Sequence, residues 1–164
     1  EWVKGAEWGM PREGHPEGRV MDHIIEVLGN IEVLSGIDQK TRSDLRIIAL
    51  IHDTFKHKVD INQPRVGKNN HAVIARRFAE QFAIAPYILD IIELHDEAFN
   101  CWRMGEHTGK WDKAQERLKI LLERLGDHLR LFYLFYKCDN ETGDKDQRCL
   151  RWFEKESELS LSNI

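Results

Sequence analysis

The sequence predicts an all-α fold, a single compact helical bundle of about six to seven helices over residues 1–164. Three observations carry this. Apolar residues recur at helical spacing in successive segments. No run shows the alternation of a half-buried strand, and caps or breakers separate the periodic segments.

Residues 1–18 contain Trp2, Trp8, glycines and two prolines, which suits an irregular lead-in ending in the turn His15-Pro16-Glu17-Gly18. Helix one is expected from Val20 to Leu34, with a stripe of Val20, His23, Ile24, Val27, Leu28 and Ile31 and a C-cap near Ser35-Gly36. Thr41 or Ser43 can cap helix two. Its stripe is Leu45, Ile48, Ala49 and His52, with Ile47 and Ile51 beside it, so this helix is covered on most sides. Beyond Lys56 the residues Asn62, Pro64, Gly67 and Asn69-Asn70 mark a loop.

Asn70 can cap helix three, which runs to about Ala83 on a stripe of His71, Ala75, Phe78 and Phe82. Pro86 opens helix four, whose stripe Ile88, Ile91, Ile92, His95 and Phe99 carries it to about Phe99. Met104 to Lys110 reads as a surface connection. Helix five, about Asp112 to Leu125, is amphipathic through Leu118, Leu121, Leu122 and Leu125, and Gly126-Asp127 breaks it. Helix six carries the aromatic run Phe132, Tyr133, Phe135 and Tyr136 down to Asp139. A loop over Asn140–Asp146, a last helix over Gln147–Glu156 and a polar tail at 157–164 complete the chain.

A chain of 164 residues is long enough to bury about 70% of its unfolded surface without disulfides. With 24 Lys and Arg against 28 Asp and Glu, no general attraction to nucleic acid or membrane is expected, and any phosphate binding is local. Cys101, Cys138 and Cys149 are odd in number and lack close spacing. They suit a reducing, cytoplasmic setting rather than a disulfide framework. No apolar run approaches the ~20 residues of a membrane span, and no signal-peptide pattern is visible.

The chemistry lies in the polar residues on these stripes. His52 and Asp53 interrupt an apolar run, and a buried carboxylate needs a partner. Hydrogen bonds to neighbours could satisfy that pair alone. However, His23, His71, His95 and Asp139 also stand at inward positions on other helices, and a divalent cation satisfies all of them together. Imidazole and carboxylate donors suit Mn, Fe, Co, Ni, Zn and, less well, Mg.

The order His23, His52-Asp53, Asp139 resembles the H…HD…D pattern of the HD-domain metal-dependent phosphohydrolase superfamily over most of the chain. Ala49-Leu-Ile-His-Asp-Thr-Phe-Lys56 is similar to its central motif. His15-Pro-Glu-Gly-Arg-Val-Met-Asp-His23 resembles the opening of the HD region in bacterial tRNA nucleotidyltransferases, although their glycine-serine and paired-aspartate head is absent. The resemblance implies metal ligands at His23, His52, Asp53 and Asp139, with His71 and His95 serving a second metal or the substrate phosphate. His71 is followed by Ala72 where relatives carry glutamate. His95-Asp96 is a second such dipeptide, set aside because Glu97 follows it and no lysine matches Lys56.

The implied activity is hydrolysis of a small phosphorylated substrate, a nucleotide or another phosphate ester, with Asp53, Lys56, His71 and His95 as catalytic residues. Asp53 would orient a water, and Lys56, on the same helix face, would meet phosphate oxygens. Arg76, Arg77, Lys58, Arg65 and Lys68 are further candidates for phosphate contacts, and His15, His57, His107 and His128 are assigned to surface or loop. Two alternatives stand beside this: a di-iron oxygenase of HD type using all six ligands, and a module that binds metal or nucleotide without turnover.

Overall fold

Apolar stripes that cannot be buried alone bury one another, and the computed structural model shows which faces meet. It describes residues 1–14 and 16–158; His15, placed above at the surface, and residues 159–164 of the polar tail lie outside the described residues. The helices are α1 (Trp2–Ala6), α2 (Val20–Glu32), α3 (Gln39–Ile51), α4 (His71–Ala79), α5 (Pro86–Leu94), α6 (Glu97–Thr108), α7 (Trp111–Leu125), α8 (Leu129–Asn140) and α9 (Arg148–Glu156). Short 3₁₀ turns occupy Lys56–Lys58, Gly67–Asn69 and Gly126–His128, and no β-strand occurs among the described residues. The fold is all-α. No helix of the described residues is long and apolar enough to cross a membrane.

Helix α3 is the centre. It packs on α2, α5 and α8, while α4 pairs with α5, α6 with α7, and α9 lies on α6. Leu45, Ile48 and Ala49 of α3 are fully buried, as are Ile24, Val27 and Ile31 of α2 and Ile91 and Ile92 of α5. The aromatic run of α8 is core, with Phe132, Tyr133, Phe135 and Tyr136 all at most 2% exposed.

Several boundaries differ from the sequence expectations, each for a local reason. The lead-in contains a helix, α1, whose Trp2 indole N–H donates to the Leu50 carbonyl at 2.7 Å. Helix α2 ends at Glu32 and α4 at Ala79, and Phe82, expected to face inward, is 54% exposed. The cap of α3 is Asp38, which accepts from the Thr41 amide at 2.7 Å, rather than Thr41 or Ser43. The helix expected over Pro86–Phe99 is two: α5 stops at Leu94, and α6 runs through the predicted connection to Thr108. Gly105 does not break α6, because it is a contact glycine; a Cβ there would stand 2.2 Å from the Trp111 ring. Gly109, with φ 68°, ends the helix.

Gly5 is the other close approach. A Cβ on it would lie 1.5 Å from the Thr54 carbonyl oxygen, so α1 sits directly on the turn that follows α3. Gly5→Ala is expected to push α1 off this turn at a cost of about 1–3 kcal/mol, read as a lower urea midpoint; an unchanged midpoint would mean that α1 is not held there.

Candidate metal centre

Helix termini aim the donors. His52 is the C-cap of α3, and its Nδ1–H donates to the Ala49 carbonyl at 3.0 Å. A carbonyl only accepts, so Nδ1 carries the proton and Nε2 presents its lone pair inward. His95, the C-cap of α5, repeats this with the Ile92 carbonyl at 2.8 Å. His23 projects from the buried face of α2, its Nδ1 3.3 Å from Thr142 Oγ1 and 3.4 Å from Glu17 Oε1. His71 opens α4 behind Asn70, which caps the helix as expected by accepting from the Ala72 amide. Asp139 comes from the last turn of α8.

These donors form two groups around Asp53. On one side, His23 Nε2 lies 2.8 Å from Asp139 Oδ1, 3.3 Å from His52 Nε2 and 3.7 Å from Asp53 Oδ2. His52 Nε2 is 3.6 Å from Asp53 Oδ2 and 3.7 Å from Asp139 Oδ1. On the other side, His71 and His95 bring their Nε2 atoms within 3.2 Å of each other and within 3.3 and 3.4 Å of Asp53 Oδ1. The two carboxylate oxygens of Asp53 thus face different groups.

The chemistry of this donor set fits divalent ions. Donors about 2.1 Å from one ion and roughly 90–109° apart stand about 3.0–3.4 Å from each other, close to the separations found. Asp53 Oδ1 is buried with no hydrogen bond, and a cation satisfies such an atom. The backbone bonds at Nδ1 of His52 and His95 are the outer contacts that fix tautomer and ring orientation in metal-binding histidines. Two overlapping groups, His23, His52 and Asp53 and then Asp53, His71 and His95, can each hold a metal ion.

The local field keeps the acids ionised. Burial works to raise the Asp53 carboxyl, but Lys56, with Nζ 2.5 Å from Oδ2, and the surrounding imidazoles hold it well below the usual carboxylate range. Asp139 is likewise raised by burial and more strongly lowered by Lys145, 3.0 Å away, and by His23 and His52. Burial pushes His52 below its ordinary value, so it is neutral and ready to ligate. His95 is pulled down by burial yet lifted to about 9 by Asp96 and Asp53, so a cation binding at its Nε2 would displace a proton.

A cleft of about 650 Å³ opens onto the centre. Asp53, Lys56, His95, Asp96 and Asp139 line its floor, Phe99, Trp102 and Tyr136 its walls, and Lys145 and Arg148 its rim. Lys56 reaches it from a 3₁₀ turn past the end of α3, not from the helix face expected for it. The five other cations proposed for phosphate do not line it. Arg76 is held by Glu80, Asp90 and Glu93, Lys58 by Glu1, and Arg65, Lys68 and Arg77 are exposed. His57, assigned to surface or loop, lies in the Lys56–Lys58 turn with a side chain only 6% exposed, its Nδ1–H donating to the Thr54 carbonyl at 3.1 Å. His107 and His128 are exposed as expected.

His23, His52, Asp53, His71, His95 and Asp139 lie together in the structure. Four contributors were missed in the sequence: Asp96, set aside as the second dipeptide; Glu17, inside the quoted turn; and Thr142 and Lys145, in an aperiodic loop. Only Asp96 and Glu17 carried a sequence signal.

The HD domain family matches residues 20–130, about two thirds of the chain. This chain belongs to the HD-domain family. The match covers α2 to the start of α8 and so includes five of the six converging residues, while Asp139 lies beyond it and joins them through the fold. None of the curated proteins and none of the solved structures matches the chain. For this HD domain, Mn(II) is expected to raise the melting temperature of the wild type, by the equivalent of about 2.7 kcal/mol at a hundredfold excess over Kd. Asp53→Asn, which keeps the shape but removes the shared charge, should melt at one temperature with or without Mn(II). An equal upward shift in the variant would detach Asp53 from metal binding.

Proposed function

We propose that this HD domain is a metal-dependent phosphohydrolase acting on a nucleotide or another small phosphate ester. The observation that carries the reading is the placement of Asp53, buried between two imidazole groups and paired with Lys56 on the floor of an open cleft. Divalent ions held there supply polarisation of a phosphoryl oxygen and a water acidic enough to attack at neutral pH. The chain supplies the rest. Asp53 is held ionised and can orient the attacking water, while Lys56 keeps an ammonium at the cleft floor where phosphoryl oxygens gather charge. His71 and His95 present their Nε2 atoms on the second side of the centre, where they would hold a second ion or the substrate phosphate.

The cleft volume lies within the range of small-molecule sites, about 300–1,000 Å³. Phe99 and Trp102 give it an aromatic wall against which a base can stack. One observation supports a second reading, a di-iron oxygenase: four histidines and two aspartates converge around a shared carboxylate, enough to ligate two irons.

The test is a panel of aryl phosphates, nucleoside monophosphates and cyclic nucleotides with Mn(II)-, Co(II)- or Fe(II)-loaded protein, scored by product release. Metal-dependent hydrolysis of at least one substrate, lost in Asp53→Asn, is expected. Failure across the panel, with iron-dependent uptake of oxygen, would replace it with the oxygenase. Lys56→Ala should keep its metal and lower kcat by about 10–10²-fold, and unchanged kcat would strip Lys56 of this role.

A further inference from the structure

The chain has two His-Asp dipeptides, and they are built alike. Helix α3 ends Ala49-Leu-Ile-His-Asp53 and α5 ends Ile92-Glu-Leu-His-Asp96. In each, the histidine at the helix end donates Nδ1–H to the carbonyl three residues back and turns Nε2 toward the centre. The aspartate that follows is thereby brought to the same side. Asp53 lies between the two donor groups, and Asp96 lies against the second alone.

Asp96 occupies the N-cap of α6, where an aspartate ordinarily accepts from an amide in the first turn. Its side chain makes no such bond. Oδ2 instead stands 3.4 Å from His71 Nε2 and Oδ1 3.6 Å from His95 Nε2, the separations seen among the other donors. We infer that Asp96 is a ligand in its own right to a second divalent cation, completing a four-donor site with His71, His95 and Asp53 Oδ1. This rests on the reading of the centre as a metal site, and it adds a carboxylate that the H…HD…D pattern does not contain.

Charge and exposure separate the two sites. Without Asp96 the second group would offer two imidazoles and one oxygen of a shared carboxylate. With it, the group carries a full negative charge of its own and favours a dication. In the first group the side-chain exposures are 3% for His23, 1% for His52 and 15% for Asp139. In the second, His95 is 2% and His71 13% exposed, and the difference lies in Asp96, 43% exposed on the cleft. The first ion is therefore held and the second exchanges, on the side from which substrate arrives.

The experiment is equilibrium dialysis of tag-free protein against Mn(II), followed by elemental analysis and electron paramagnetic resonance. Wild type should hold two Mn(II) per chain with a spin-coupled signal, one of them leaving on brief exposure to a chelator. Asp96→Ala should hold one, tightly, with an uncoupled signal and unchanged far-ultraviolet circular dichroism. Asp96→Asn should weaken the second site by about 10–100-fold, and Asp144→Ala, on the same cleft, should keep both. Two equally retained ions in Asp96→Ala would overturn the inference. One ion in wild type would overturn it and leave the proposed hydrolase standing, whereas no ion in wild type would overturn both.

Discussion

The buried carboxylate of Asp53 is the constraint on which the rest of this structure turns. An ionised carboxylate withdrawn from water is costly unless it is paired and hydrogen-bonded. Here Lys56 takes one oxygen, and four imidazoles approach the two oxygens from opposite sides. The four histidines come from four different helices, so α2, the end of α3, the start of α4 and the end of α5 must meet at one point. The turn that carries Asp53 is itself fixed from behind by α1, where Gly5 lies against Thr54.

Helix ends serve this centre better than helix middles. A terminal turn leaves carbonyls without intrahelical partners, and an imidazole placed at the cap can accept that task with one nitrogen while freeing the other. His52 and His95 both do so, and His57 makes the same three-residue contact with Thr54 one turn later. One local device thus satisfies the backbone, sets the tautomer and directs the donor. The residue after each histidine shares this placement, since Asp53 and Asp96 follow the capping histidines and both line the cleft.

Much of this was legible in the sequence because burial is written in period. The stripes of α2 and α3 placed His23 and His52 inward, and the stripe of α5 did the same for His95. The break after Leu94 was invisible for a physical reason. His95 and Asp96 keep right-handed helical angles, with φ −55° and −85°, so the apolar period runs on through Phe99 although the side chain of His95 has taken the Ile92 carbonyl. Gly105 misled in the opposite sense, since a glycine that admits the Trp111 ring looks the same in sequence as one that ends a helix. Thr142 and Lys145 had no signal, because a loop has no period: Thr142 meets His23 only when α8 lies beside α2, and Lys145 reaches Asp139 through an irregular turn of the chain.

Two lysines complete the electrostatic design. Asp53 has Lys56 at 2.5 Å and Asp139 has Lys145 at 3.0 Å, and both ammonium groups line the cleft rather than the core. Each holds a carboxylate ionised, which favours cation binding, and each adds positive charge on the side open to solvent. The chain as a whole is acidic, with 28 Asp and Glu against 24 Lys and Arg, so long-range attraction does not deliver an anion to this site. Within the cleft Lys56 and Lys145 are each paired with a donor carboxylate, and Asp96, Asp144 and Asp146 line it as well, so its side chains by themselves favour cations. The two lysines therefore keep the donor carboxylates ionised without reversing the preference of this site for cations.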